Sequence, residues 1–227
     1  MNEMSAALLD AVDRDGFAVT SAPVLTTREC RELRDAWDDM ARYRSTVDMS
    51  RQRFGEGVYR YFRYPLPLTV AALREATYEA LAPLASRWAE RMGQARFPAH
   101  FEQFRRRCVE AGQTKATPLV LRYERGDYNC LHQDRYGDVA FPLQLTVALS
   151  DHAEYAGGET VFVEQRPRAQ SRAHVTRVPL GHAVVFAGGE RPVDGARGPR
   201  RVRLRHGVAT VTSGQRFALG VIFHDAR

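Results

Sequence analysis

Two histidines and a carboxylate stand in an order that could hold a metal ion. His132-Gln133-Asp134 sets an imidazole and a carboxylate two residues apart, and His206 follows far downstream. Side chains at i and i+2 of a strand share a face, so His132 and Asp134 can look one way while Gln133 looks the other. A third ligand from a second strand would complete one face of an octahedron. Two imidazoles and one carboxylate suit Fe(II), with the other positions open to exchangeable ligands. The same triad around zinc and a bound water would instead make a hydrolase. A His-x-Asp triplet alone says little, because charged residues at strand ends are mostly solvated. His206 adds weight: it lies in RVRLRHGVATV with Leu204, Val208 and Thr210 on its own face. The plainer alternative for such a histidine is a hydrogen-bonded core residue.

Arg216 follows His206 by ten positions. Thr212-Ser213-Gly214 reads as a three-residue hairpin loop with Gly214 left-handed. That loop would pair Val211 with Gln215 and Thr210 with Arg216, setting Arg216 on the face of His206. Positions 206 and 210 are then about 13 Å apart at ~3.3 Å per residue. A long arginine and a five-carbon dicarboxylate would span that gap. The keto-acid end would chelate the metal, and the far carboxylate would meet the guanidinium in a charge-assisted bond. Ala218 and Gly220, on the same side of the strand, leave room. Burying an arginine there with no anion would be costly, so the alternative sets Arg216 at a wet rim.

The elements that must carry these residues fall into two halves. Residues 4–14 read as a short helix and 16–19 as a strand. Thr26-Thr27-Arg28-Glu29 marks a capped helix start, with the helix running to about Tyr43 through Cys30, Leu33, Trp37 and Met40. Residues 51–67 suit an extended loop or hairpin, and helices follow over about 68–92 and 98–111. From Thr117 onward come short β-type runs punctuated by Gly, Pro and Asp: PLVLRYE, FPLQLTVALS, ETVFVE, HVTRVPL, HAVVFAG, RVRLRHGVATV and QRFALGVIF. Such spacing argues for a sandwich or barrel. The simplest organisation is α+β and mainly β, a single domain over 1–227. In it, 1–116 is a mainly helical flank with a basic and aromatic segment, and 117–227 is a jelly roll bearing the metal site.

The 227 residues are enough for a real core, and 44% are apolar. No uncharged apolar run reaches the ~18 residues a membrane span needs. Glu3, Asp10, Asp13 and Asp15 give the first residues the wrong charge for a secretory signal. Cys30, Cys108 and Cys130 are odd in number and unpaired in spacing, which fits a reducing, cytoplasmic setting. Cys130, just upstream of the suspected site, reads as a small packing residue, with oxidation chemistry nearby as the alternative. The net charge is +6, and Lys115 is the single lysine, so the positive charge is arginine. Arginine forks pair well with phosphates, so a polyanionic partner fits, although charge alone is weak evidence.

Arg51, Arg53, Arg60 and Arg63 alternate with Phe54, Tyr59, Tyr61, Phe62 and Tyr64. Such a segment could track phosphates and stack an unpaired base. Alternatively it is a hairpin with aromatics packed inward and arginines in solvent. Arg166, Arg168 and Arg172, around Pro167, form a second basic loop near the expected barrel mouth. Arg105-Arg106-Arg107 falls on a helix surface, and Arg201, Arg203 and Arg205 on the strand face opposite His206. His224-Asp225 looks like a metal pair, but adjacent strand residues point apart, and the pair reads as a strand end.

His132-x-Asp134, His206 and Arg216, in that order on strand-like segments, resemble the motif of the Fe(II)/2-oxoglutarate-dependent dioxygenases. Arg122-Tyr123 followed by Gly126, Gly157-Gly158-Glu159-Thr160, and the opening GFAVTSAPVLTTRECRELRDAW are similar to that family as well. The likeness covers most of the chain and is strongest over 119–226. More narrowly, FPLQLTVALSD, EQRPRAQSR and RHGVATVTSGQRFALGVIFHDA resemble a prokaryotic AlkB-like branch that strips alkyl groups oxidatively from damaged nucleic acid. That branch carries an Arg-x-Asn-x-x-x-x-Arg run after its last ligand, whereas here Arg216 stands alone. The substrate is thereby left open, but not the iron chemistry.

The resemblance implies a double-stranded β-helix, a cupin-like jelly roll, flanked by N-terminal helices. It implies Fe(II) on His132, Asp134 and His206, with 2-oxoglutarate held by Arg216 and O2 as oxidant. Tyr123 would add a hydroxyl contact to the co-substrate or serve as a buried strand tyrosine. The implied partner is nucleic acid, single-stranded or with a flipped base, and the substrate contacts would be Arg166, Arg168, Arg172, Tyr61 and Arg63. A protein side chain or small metabolite is the alternative substrate. A sensory module that binds anions without turnover is the non-enzymatic alternative. No oligomeric state follows.

Overall fold

The computed structural model describes residues 4–134, 137–166, 169–195 and 198–227. Four helices, α1 (Ala6–Asp15), α2 (Thr27–Asp35), α3 (Leu68–Arg91) and α4 (Phe101–Glu110), precede most of the strands. Strands β1 (Phe17–Val19), β2 (Tyr43–Asp48), β3 (Gly55–Glu56) and β4 (Val58–Phe62) are interleaved with them. The rest of the chain is β: β5 (Leu119–Tyr123), β6 (Tyr128–His132), β7 (Leu143–Ala148), β8 (Tyr155–Gly157), β9 (Thr160–Gln165) and β10 (Arg172–Thr176). It continues through β11 (Ala183–Ala187), β12 (Glu190–Gly195), β13 (Gly198–Val208), β14 (Val211–Gly214) and β15 (Arg216–Ile222). Among the described residues no helix is long and apolar enough to cross a membrane.

Local chemistry sets the helix ends. The capping box at α2 forms as predicted: Thr26 N–H donates to the Glu29 carboxylate at 2.7 Å, and Glu29 N–H donates to the Thr26 hydroxyl at 3.2 Å. The helix stops at Asp35 rather than near Tyr43. Asp35, Asp38 and Asp39 put negative charge at the negative end of the helix dipole. The Asp39 carboxylate also takes the Ala41 N–H, an alternative to the helical bond. The chain turns through short 3-10 segments into β2, a strand the sequence reading did not anticipate.

Two antiparallel sheets dominate. The larger runs β1-β11-β7-β15-β5-β4-β2, and the smaller runs β10-β9-β13-β6-β3 with β12 beside β13. They form an open double-stranded β-helix rather than a closed barrel. The N-terminal flank supplies β1, β2 and β4 to the larger sheet; β1 and the extended segment that holds β4 match the expectation, and β2 takes residues expected to end or follow the α2 helix. That sheet is covered on both faces. On β15, Phe217, Leu219 and Val221 join the core formed with Leu73, Tyr78 and Leu84 of α3. The alternate residues Arg216, Gly220 and Ile222 line a cavity on the other face.

The predicted hairpin between His206 and Arg216 does not form. β13 is flanked by β6 and β9, so it has no free edge for β15. The chain instead crosses between sheets: β14 pairs with β8, and Val211 lies opposite Gly157. Arg216 is paired with Tyr123 of β5, not with Thr210. Gly214 is left-handed as expected, with φ +73°, but serves this crossing.

The residues after β15 are moored to α3. Arg74 and Asp225, each with a side chain about 1% exposed, pair at 2.8 Å. The Tyr64 hydroxyl donates to Asp225, and Arg74 also donates to the carbonyls of Ile222 and Phe223. His224 is buried beside them, its Nδ1 accepting the Phe141 N–H at 3.2 Å. Burial first, then the Arg74 charge, lower its pKa from 6.5 to about 4. The folded state therefore keeps His224 neutral at pH values where the unfolded chain binds a proton. Stability should be full above pH 6.5 and fall by roughly 3 kcal/mol as pH drops toward 4, at ~1.4 kcal/mol per unit. Denaturant melts of the wild type and H224N across that window measure it. An equal acid loss in both would rule His224 out as the cause.

Candidate metal centre and its cavity

His132 at the end of β6 and His206 on β13 are directly opposed across the smaller sheet. Their ring centroids are 4.3 Å apart. Asp134, two residues past His132, lies between the imidazoles: its carboxylate is 3.6 Å from His132 Nε2 and 3.3 Å from His206 Nε2. One ligand atom from each of the three residues falls within 4.8 Å of the others.

A β-bulge aims this strand. His206 pairs with His132 and Val208 with Asn129, so three steps along β6 match two along β13. The extra residue puts both Cys130 and Leu131 outside, where they are exposed. Asn129 and His132 then face the same cavity despite their odd spacing. Cys130 is therefore not a packing residue; its carbonyl accepts the His132 Nδ1–H at 2.7 Å. That bond orients the ring and leaves the Nε2 lone pair facing Asp134. Burial and the neighbouring His206 push the His132 pKa below the usual imidazole value, with Asp134 and the Cys130 carbonyl opposing. No such bond holds His206, whose Nδ1 is buried with no partner among the described residues. Packing against Phe186, with centroids 4.6 Å apart, fixes it instead.

Gly207 is needed where the bulge crosses. A Cβ there would lie 2.6 Å from the Asn129 carbonyl oxygen, a backbone atom that cannot swing away. G207A should part the strands that carry His132 and His206 and weaken iron binding by about 10–100-fold, the scale for disturbed ligand support. A metal titration checks this, alongside far-UV circular dichroism to confirm the retained sheets. Wild-type metal affinity in G207A would refute the positioning role.

The donor set fits Fe(II): two neutral imidazole nitrogens, one carboxylate and no thiolate, on one side of an open space. That space is a cavity of about 310 Å³, with the triad, Phe186 and Gln144 among its lining residues. Arg216 and Tyr123, paired side by side on neighbouring strands, also line it. Arg216 is 5% exposed, and its guanidinium has no ion-pair partner among the described residues. Gly158, at φ +65°, makes room for the stem: a Cβ would sit 3.0 Å from Arg216 Cδ. Tyr123 is fully buried, which raises its pKa to about 12 against the pull of the Arg216 charge. Its hydroxyl accepts from Asn129 Nδ2 at 3.4 Å.

The expected substrate residues scatter. Tyr61 lines the cavity. Arg63 lies outside it, in a surface depression with Arg42 and Pro65. Arg166 is held at 2.6 Å by Glu164, which also pairs with Arg191. Arg172 is exposed on the edge strand β10, and neither Arg166 nor Arg172 lines the cavity. Arg168 lies outside the described residues. In β4 the tyrosines lie where the base-stacking reading needs them, but the arginine between them is not free to track phosphates. Arg60 is the inward residue, its guanidinium 4.1 Å above the Trp37 ring, while Tyr59 and Tyr61 face the cavity. Because β4 lies inside a sheet covered on both faces, neither side of it was free for solvated arginines.

Sequence reasoning missed Asn129, Gln144 and Phe186, all of which line the cavity; Phe54, named in the basic and aromatic segment, lines it as well. Gln144 carried a signal: an amide amid the apolar residues of FPLQLTVALS. Asn129 carried none, since simple alternation sets it opposite His132.

Residues 57–226 match the family Oxygenase-NA, described as an oxygenase catalysing oxidative methylation of damaged DNA. Uncharacterized proteins from two Mycobacterium tuberculosis strains are 45% identical over 167 residues, 73% of this chain and 72% of theirs. Among solved structures, a Pseudomonas putida prolyl-4-hydroxylase aligns over 98% of both chains with a TM-score of 0.56 and 16% identity. A Burkholderia pseudomallei oxidoreductase of the 2OG-Fe(II) oxygenase family aligns over 99% of this chain and 94% of its own, with a TM-score of 0.53 and 15% identity. A Trichoplax adhaerens prolyl hydroxylase, in complex with a hypoxia inducible factor peptide, covers 96% and 87% with a TM-score of 0.58 and 12% identity. At these identities the solved structures show a shared fold alone.

Proposed function

We propose, from the premise that this chain belongs to the Oxygenase-NA family, that it is a 2-oxoglutarate- and Fe(II)-dependent oxygenase that dealkylates bases in damaged DNA. One observation carries the chemistry: a His-Asp-His cluster and a buried, unpaired arginine share a single cavity. His132 and His206 would hold Fe(II) through Nε2, and Asp134 through its carboxylate. Arg216 would grip the distal carboxylate of 2-oxoglutarate, with the Tyr123 hydroxyl beside it. Together with O2, the bound metal and keto acid supply an oxidant able to hydroxylate a C–H bond.

The rest falls to the protein. Phe54, Tyr59 and Tyr61 offer flat aromatic surfaces on which a base can stack. A base must leave its duplex to enter such a cavity. Oxygen inserted into an N-methyl C–H bond gives a hydroxymethyl group, which departs as formaldehyde and leaves the N–H base. One oxygen atom of O2 ends in formaldehyde, the other in succinate, and CO2 is released. The family description speaks of oxidative methylation, but this stoichiometry removes a methyl group. Aerobic turnover with methylated single-stranded DNA, peptides and free amino acids tests the substrate. Succinate and formaldehyde should rise together with methylated DNA. Succinate at the substrate-free background with DNA, but raised by a peptide or amino acid, would move the chemistry to a protein side chain or metabolite.

A further inference from the structure

Three amide side chains line the cavity: Asn129, Gln133 and Gln144. Two have engaged amide nitrogens. Asn129 donates to the Tyr123 hydroxyl, while its Oδ1 is enclosed without a partner among the described residues, and Gln133 donates to the Leu204 carbonyl at 3.2 Å. Gln144 is 4% exposed, and its Nε2 is enclosed with no hydrogen-bond partner among the described residues. Its flanking residues in register on the same face are Phe186 and Ile222, neither of which can pair with it. The amide lies over Gly188, where a Cβ would come within 2.6 Å of Nε2.

The position of Gln144 matters as much as its isolation. Phe186, directly across from Gln144, packs its ring at a tilt against His206. Gln144 therefore belongs to the metal end of the cavity. Arg216 is remote from it: Ile222, the β15 partner of Gln144, lies six residues further along the strand, about 20 Å at ~3.3 Å per residue. A buried amide with no partner is destabilising, so its retention beside the reacting centre points to a partner that arrives with the substrate.

We infer that Gln144 is a specificity-determining residue. Its amide meets the hydrogen-bonding edge of the heterocycle that carries the alkyl group: rotation about the last side-chain torsion turns Nε2 from its enclosed place over Gly188 into the cavity, where it donates to a ring nitrogen or carbonyl. This rests on the nucleic-acid reading above. The aromatic walls accept any base, because every base has a π-face, and so give no discrimination. An amide presents a donor and an acceptor side by side, a pattern that a base edge can match.

The test is equilibrium binding of labelled single-stranded DNA to the Fe(II)- and 2-oxoglutarate-loaded protein without oxygen. One strand carries a methylated adenine or cytosine, and the other is unmodified. Q144L should bind the methylated strand about tenfold more weakly, with the unmodified strand and 2-oxoglutarate affinity unchanged. Q144E, which keeps the shape but replaces the donor with an acceptor, should lose the same preference. Because an unpaired group is removed, Q144L should also melt about 2–4 °C higher than wild type, whereas loss of a structural residue would lower the melting temperature. If wild type turns over methylated DNA and Q144L keeps its preference for it, or melts lower, the role of Gln144 falls and the nucleic-acid reading stands. If wild type neither prefers nor oxidises methylated DNA, both fall.

Discussion

Alanine at His132, Asp134 or His206 should abolish 2-oxoglutarate turnover, by roughly a thousandfold or more. Loss of a residue that merely supports a ligand costs about 10–100-fold, and loss of a ligand itself should exceed that. The geometry makes the three inseparable: one carboxylate lies within 3.6 Å of both imidazoles, so removing any of them leaves two donors on the wrong side of an open site. D134N separates ligation from packing, since it keeps the shape and discards the charge. The readout independent of activity is the visible charge-transfer band expected when 2-oxoglutarate is added to the Fe(II) protein without oxygen. It should be present in wild type and missing in H132A, D134N and H206A. A variant that retains both band and turnover would remove its residue from the centre. Turnover with zinc but not iron would favour a hydrolase.

Replacing Arg216 by methionine should cost the enzyme its co-substrate while leaving the fold at least as stable. Breaking a buried charge pair costs about 3–5 kcal/mol, so the 2-oxoglutarate Kd should rise by a hundredfold or more. R216K keeps the charge but loses the planar fork that binds a carboxylate through two bonds, and should fall between. Without its anion, the guanidinium is a 5%-exposed charge that forms no ion pair among the described residues; the Tyr123 ring lies 5.4 Å from its carbon, and Glu159, already paired with Arg177, feels its charge from further off. Methionine there removes an uncompensated charge, so the apo protein should melt no lower than wild type. An R216M protein that is unstable yet binds 2-oxoglutarate normally would mean the arginine serves the fold instead.

The triad was legible because its signal is local or type-specific. His132 and Asp134 stand two apart in the sequence, although β6 ends at His132 and Gln133 lines the cavity too, so strand alternation was not what placed Asp134; His206 stands out as a histidine among apolar and arginine residues. The α2 capping box and the extents of α3 and α4 were legible for the same reason, since caps and helical periodicity act within a few residues. Arg216 was assigned to the cavity by a faulty route. A hairpin was inferred from loop length, yet the strand crosses to the other sheet and reaches the cavity from there. The substrate-contact arginines were the least legible. An exposed arginine and a ligand-binding arginine look alike in sequence, and nothing local signalled that Arg166 pairs with Glu164.

By itself the chain specified which residues could bind a metal and a dianion, where its helices begin, and that its second half is β. Strand pairing partners, the bulge at Cys130–Leu131, the crossing through β14 and the isolation of Gln144 were decided only in three dimensions. Alternation and capping are properties of neighbours along the chain. Which strand takes a free edge, and which polar group goes without a partner, depends on what every other segment has already covered.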